Sequence, residues 1–211
     1  IKPKKDEIIN TEYKVEADWS SASYFFSIVA LSKNIELSFL NFRKDSFQGD
    51  INVCKYYELF GVKTTFQNGK LIIKKRTDFN YPEKIIIDLK DNPDLAQTII
   101  VTAFGLNIPT KLTGLSTLKV KETDRIEALR NELTNLGASC IIDDESIEFF
   151  KSNKLNKNYI INTYDDHRMA LAFAPLSVIF PIEIQDPKVV SKSFPEFWNI
   201  LEKLNFSIDF V

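Results

Sequence analysis

Asp166-His167-Arg168-Met169-Ala170-Leu171-Ala172-Phe173 sets an acid before a run that is apolar over most of a helical surface. Such a helix is stable when it is covered on several sides, so it belongs inside the fold. The same stretch carries the only histidine and the only methionine of the chain. Imidazole has the unperturbed side-chain pKa nearest neutrality, which makes His167 a candidate for proton chemistry. The plainer reading is a polar residue at a helix start.

The pattern occurs three times. Asp18 precedes Ser20-Ser21-Ala22-Ser23-Tyr24-Phe25-Phe26 and Ile28-Val29-Ala30-Leu31, and Asp94 precedes Leu95-Ala96, Ile99-Ile100-Val101 and Ala103-Phe104. The three acids are about 70 to 76 residues apart, a longer period than ordinary solenoid repeats have. A strand is predicted after each helix, at Ile35 to Phe39, Thr110 to Leu112 and Ile182 to Ile184. A second helix follows, amphipathic in the case of Ile126, Leu129, Leu133 and Leu136. These second helices end at Gly61, Gly137 and Asn205, residue types suited to a left-handed cap. Hairpins close the first two units, one through Asn68-Gly69 and one through Asp143-Asp144-Glu145. The third unit stops at Phe206 to Val211 with one predicted strand. An unpaired edge is a liability, so its partner is expected from elsewhere in a longer protein.

The expectation is an inside-out α/β domain over residues 18–211, with helices inside and sheets outside. Its repeats fall at about 18–77, 83–151 and 159–211, the third incomplete, and residues 1–17 form a linker or lead-in strand.

At 211 residues, 44% hydrophobic and 27% charged, the chain supports a packed core. A net charge of -2 gives no reason to expect a nucleic acid or an anionic membrane as partner. No apolar run is long enough to span a bilayer. Cys54 and Cys140 lack metal-ligand spacing and read as free thiols in a reducing compartment, which points to the cytoplasm. The start, Ile1-Lys2-Pro3-Lys4-Lys5, is not a signal peptide and lacks an initiator Met, so a piece of a longer chain is expected.

Three predicted helix starts carry cations. Asp124 and Glu127 read as a capping box that puts Arg125 in the first turn, with Lys121 just before it. Asp166 is followed by His167 and Arg168. Ser193 and Glu196 read as a second capping box beside Lys192, with Pro195 in the first turn. Cations at a helix N-terminus are disfavoured by roughly 0.3–1 kcal/mol. Repetition suggests a site that gathers anions. The alternative is local pairing with Glu122, Asp124, Asp165 and Asp166.

These residues, taken with Gln48-Gly49-Asp50, Asn92-Pro93-Asp94, Asp186-Pro187 and Lys192-Ser193-Phe194-Pro195, resemble the C-terminal half of the 5-enolpyruvylshikimate-3-phosphate synthase family. The motifs keep family order over nearly the whole chain. The resemblance implies a fold of two domains, each built from three βαβαββ-type units that close around the substrates. An N-terminal domain of the same enzyme would hold the rest of the site, so this chain alone should be catalytically silent. The implied reaction moves the enolpyruvyl group of phosphoenolpyruvate to the 5-hydroxyl of shikimate 3-phosphate and releases phosphate, with no metal or organic cofactor.

By motif match, Arg125, Arg168 and Lys192 correspond to phosphoenolpyruvate-binding residues, and Asp94 and Lys121 to contacts with shikimate 3-phosphate. Thr117 stands where some members carry Asn as a further contact. Asp94, Glu122 and His167 are the implied acid/base set. Ala17 and Trp19 depart from the small residues usual beside Asp18. Two alternatives remain at this stage: the sister transferase acting on UDP-N-acetylglucosamine, and a stand-alone module that binds an anionic metabolite.

Overall fold

The computed structural model describes residue 12 and residues 14–152 and 154–210. Most of the expected lead-in, residues 1–11 and 13, lies outside the described residues, and 14–18 form neither helix nor strand. The lead-in meets the chain just past the first strand, where the Ala17 N–H donates to the Asn41 carbonyl at 2.9 Å.

Two long helices form the centre. Helix α1 (Trp19–Leu31) buries nearly every residue, and so does α3 (Ala96–Leu106). Between them runs a buried polar seam. Thr102 Oγ1 lies 2.7 Å from Ser27 Oγ and 2.8 Å from Tyr57 Oη, and Ser23 Oγ lies 3.2 Å from Thr98 Oγ1. Pairing these hydroxyls removes the cost of burying them and sets the register between the two helices. Helix α5 (His167–Phe173) packs on both and is buried except at Arg168.

The sheets lie outside these helices. The first contains β1 (Glu36–Leu40), β2 (Val62–Gln67) and β3 (Lys70–Lys75) in the order β1-β3-β2, all antiparallel. Asn68 and Gly69 turn the hairpin with φ of 51° and 70°, the left-handed pair expected of a two-residue turn. The second contains β4 (Ile85–Asp88), β5 (Thr110–Thr113), β6 (Ser139–Ile142) and β7 (Ile147–Phe150), in the order β4-β5-β7-β6. Strands β4 and β5 are parallel, which requires a long crossover, and α3 supplies it. Burial alternates along β4, apolar side chains turning inward at Ile85 and Ile87. A short parallel pair, β8 (Ile160–Ile161) and β9 (Glu183–Ile184), flanks α5. Strands β4 and β8 are not among those expected from the sequence.

The second helices are α2 (Val53–Glu58), α4 (Arg125–Asn135) and α6 (Phe197–Lys203). Gly61, Gly137 and Asn205 follow them with φ of 76°, 102° and 67°, as the sequence predicted.

Two expectations are corrected. Residues 206–210 form no strand. And α6 begins at Phe197, so Ser193 and Glu196 make no capping box; Glu196 flanks the helix without a side-chain cap bond. Phe194 explains the shift. Its ring packs 6.1 Å from Phe25 and 5.5 Å from Phe197, while its N–H closes a turn onto the Val190 carbonyl. Packing that half-buried ring among its aromatic neighbours outweighs a cap that stabilises by about 1 kcal/mol. Lys192 consequently sits in the last turn of the 3-10 segment Pro187–Lys192, the end that favours a cation.

Candidate active site

The site forms where four chain segments end on one face. Asp94 sits in the 3-10 turn Pro93–Leu95 that leads into α3. Lys121 follows the 3-10 segment Ser116–Val120, and Arg125 opens α4 behind its cap, Asp124, whose side chain accepts the Glu127 N–H. The reciprocal half of that predicted box is replaced, since Glu127 turns its carboxylate to Arg130. Asp166 caps α5 by accepting the Arg168 N–H at 2.9 Å, which places His167 and Arg168 in the first turn. Lys192 arrives from the fourth segment.

Arg125 is the centre of the cluster. Its side chain is 2% exposed and its guanidinium meets three carboxylates. Nε donates to Asp166 Oδ2 at 2.6 Å, Nη1 to Asp94 Oδ1 at 3.1 Å, and Nη2 to Glu122 Oε2 at 2.7 Å. A planar, permanently charged fork is suited to three such partners at once. Arg168 donates from Nη2 to Asp94 Oδ2 at 3.1 Å and from Nη1 to the Asp94 carbonyl at 3.2 Å. Lys121 Nζ lies 3.5 Å from Asp94 Oδ1, and Lys192 Nζ donates to Glu122 Oε1 at 2.6 Å. Exposure is graded across the cations, from 13% for Arg168 through 34% for Lys121 to 58% for Lys192.

His167 Nδ1 is buried without a hydrogen bond, 3.9 Å from Glu122 Oε1 and 3.8 Å from Asp166 Oδ1. Burial pulls its pKa below the ordinary 6.5 against the field of Asp166. Glu122 moves from 4.5 to about 2, chiefly through the Lys192 hydrogen bond. The group therefore joins an anionic Glu122 to a neutral His167 near neutrality.

Seven of the eight sequence candidates meet here: Asp94, Lys121, Glu122, Arg125, His167, Arg168 and Lys192. Thr117 is exposed on the 3-10 segment before Lys121. Lys119 turns away to pair with Asp144. The cations are paired with carboxylates, as the alternative to an anion site expects. Most of this pairing joins residues distant in the chain, however, with Asp94 and Arg168 74 positions apart.

Two elements beside the candidates take a part that the sequence does not assign them. Asp166 was read as a helix-start acid, yet its fully buried carboxylate also grips Arg125. Gln48-Gly49-Asp50, one of the motifs of the resemblance, packs beside Asn92, two residues before Asp94. Gly49 approaches so closely that a Cβ there would lie 2.9 Å from Asn92 Nδ2, Gln48 accepts the Trp19 N–H at 3.0 Å, and Ser20 Oγ donates to Asp50. The motif is visible in the sequence, but a Gly between two polar residues carries no information on which distant residue it approaches.

The chain is similar in sequence and fold to proteins of one family. The sequence model of the family EPSP synthase (3-phosphoshikimate 1-carboxyvinyltransferase) matches residues 1–201. A 3-phosphoshikimate 1-carboxyvinyltransferase of Bacteroides fragilis (strain YCH46) is 41% identical over 199 residues, covering 93% of this chain and 48% of that protein. One of Pseudoalteromonas translucida (strain TAC 125) is 35% identical, covering 90% and 44%. Among solved structures, EPSP synthase from Acinetobacter baumannii aligns with a TM-score of 0.66 at 21% identity, over 90% of this chain and 46% of that one. The enolpyruvyl transferase NikO from Streptomyces tendae aligns with a TM-score of 0.61 at 12% identity, over 93% and 45%. At these identities the structural likeness speaks to the fold alone. The chain spans about half the length of the curated relatives it matches.

Proposed function

Because this chain belongs to the EPSP synthase (3-phosphoshikimate 1-carboxyvinyltransferase) family, we propose that its protein transfers the enolpyruvyl group of phosphoenolpyruvate to the 5-hydroxyl of shikimate 3-phosphate and releases phosphate. The observation that carries the proposal is the meeting of Lys121, Arg125, Arg168 and Lys192 around Asp94 and Glu122. Both substrates are polyanions, and charge-assisted donors are what bind them. The chain forms one wall of the site, its repeats dividing at about 18–77, 83–151 and 159–211, and a second domain of the same enzyme closes over it. No described helix is long and apolar enough to cross a membrane, and we place the enzyme in the cytoplasm.

In this reading Lys192, the most exposed of the four cations, meets phosphoenolpyruvate first, and Arg168, 13% exposed, binds it next. Arg125 joins them by exchanging its contact with Glu122 or Asp94 for the ligand. Lys121 and Asp94 face shikimate 3-phosphate, with Thr117 at the margin. The reaction needs a proton delivered to the methylene carbon as the hydroxyl oxygen bonds to the adjacent carbon. Phosphate then leaves that carbon and a methyl proton is removed, restoring the double bond. Asp94 accepts the hydroxyl proton, Glu122 serves the methylene carbon, and His167 supports them by hydrogen bonding. Glu122 paired with Lys192 is too acidic to donate. When a bound anion draws Lys192 away, the Glu122 pKa rises toward the range in which it can.

The test is phosphate release by the full-length gene product with both substrates. Turnover should fall by roughly 100-fold or more in Glu122→Gln. Near-normal turnover in that variant would remove Glu122 from its role, and absence of phosphate release by the parent would remove the function. Robust turnover by the 211-residue chain alone would contradict the half-site.

A further inference from the structure

Glu132 lies seven residues, about two helical turns, after Arg125 on α4, so the two side chains leave nearly the same face. Arg125 grips Asp166. Glu132 is fully buried and grips the loop that leads to Asp166. Its Oε1 accepts from Tyr164 Oη at 2.7 Å and from Tyr159 Oη at 3.2 Å, and its Oε2 accepts from the Asn162 N–H at 2.9 Å. The loop needs such a hold. Tyr164 and Asp165 both have a φ of 54°, a left-handed conformation that a ring-bearing residue resists and that persists only when its surroundings impose it. The Tyr164 N–H bonds Asn162 Oδ1 and the Asp166 N–H bonds the Thr163 carbonyl, closing the turn just before the Asp166-His167-Arg168 start of α5.

We infer that Glu132 and Tyr164 are positioning residues for the site: Glu132 holds Tyr164, the Tyr164–Asp165 turn aims Asp166, and Asp166 fixes Arg125 together with the first turn carrying His167 and Arg168. The inference rests on the function proposed above only for the identity of the anion. Helix α4 thus grips the 159–168 segment at two points, by Arg125 on Asp166 and by Glu132 on Tyr159, Asn162 and Tyr164.

His167 supplies the readout, because its imidazole resonance, identified by its loss in His167→Asn, reports on the turn. His167 is faced by Asp166 and Arg168 from its own helix and by Glu122 and Arg125 from the α4 side. In the full-length protein, Tyr164→Phe is compared with Tyr159→Phe, two variants that each remove one bond to the same Glu132 oxygen. Tyr164→Phe should raise the titration midpoint of His167 toward 6.5 as water reaches the ring, and weaken phosphoenolpyruvate binding by roughly tenfold. Tyr159→Phe should leave both as they are in the parent.

Equal behaviour of the two variants at His167, or no change in Tyr164→Phe, would overturn the inference. If Tyr164→Phe does not fold, Glu132→Gln is read against Tyr159→Phe by the same criteria. A full-length parent that fails to bind phosphoenolpyruvate counts against the proposed function, and the His167 comparison then decides the positioning role by itself.

Discussion

Arg125 Nε and Asp166 Oδ2 lie 2.6 Å apart with their side chains 2% and 0% exposed, and this buried pair joins α4 to α5. Removing one member of such a pair leaves a charge in a medium that solvates it poorly. Asp166→Ala should therefore destabilise the chain by about 3 kcal/mol, the contacts of Arg125 with Asp94 and Glu122 moderating the loss. Asp166→Asn keeps an acceptor for the Arg168 N–H and should cost about 1 kcal/mol less. Urea unfolding of the three proteins measures both, and a loss for Asp166→Ala below about 1 kcal/mol would contradict the pairing.

The Glu122–Lys192 contact predicts a pH dependence of definite sign. A carboxyl whose folded pKa lies below its unfolded one stabilises the fold above the unfolded value and loses that contribution as pH falls through the folded value. For Glu122 the window runs from 4.5 down to about 2. Lys192→Met should move the Glu122 carboxyl back toward 4.5 and flatten the stability profile across that window. Carboxyl carbon NMR follows the titration directly. An unchanged Glu122 midpoint in Lys192→Met would remove Lys192 as the cause.

Two glycines with left-handed backbone should respond very differently to alanine. Gly69, φ 70°, has nothing within 4 Å of an added Cβ, so Gly69→Ala meets backbone strain alone, about 1–2 kcal/mol. Gly137, φ 102°, would drive its Cβ into the Lys154 carbonyl at the end of α4. Gly137→Ala should cost about 3 kcal/mol or more, because backbone must move. Thermal melts of the pair check the order, and equal losses would show that the close approach at Gly137 is relieved by the chain.

Cys54 and Cys140 should be inert in the native chain. Burial is the main cause raising each thiol to about 12, and the thiolate is the reactive form. At pH 8 a disulfide reagent such as DTNB should titrate neither thiol while the chain is folded, and both in guanidinium. One equivalent consumed rapidly by the native chain would show an open thiol.

Much of the fold was legible because its determinants are local. The all-round apolar character of Ile28-Val29-Ala30-Leu31 and Met169-Ala170-Leu171-Ala172 marks helices that must be covered, and Asn68-Gly69 accepts the φ values of a tight hairpin. Asp18, Asp124 and Asp166 announce helix starts because a cap acts within three residues. The same locality misled the reading at Ser193 and Glu196. The cap spacing was correct there, but Phe194 was drawn into a ring cluster with Phe25, a residue 169 positions away.

The sequence by itself determined the three acid-led helices, the left-handed caps of the helices that follow them and the residue types available for anion chemistry. The tertiary structure decided which of those residues meet. It brought Arg168 to Asp94, Lys192 to Glu122, and Arg125 to Asp166 across 74, 70 and 41 positions. It also gave Asp166 and Glu132 their second roles. The physical reason is range: caps and periodicity act within a turn or two of helix, whereas the partner of a buried charge is set by which elements pack together. That packing follows from burying apolar surface, a force with no directional preference of its own.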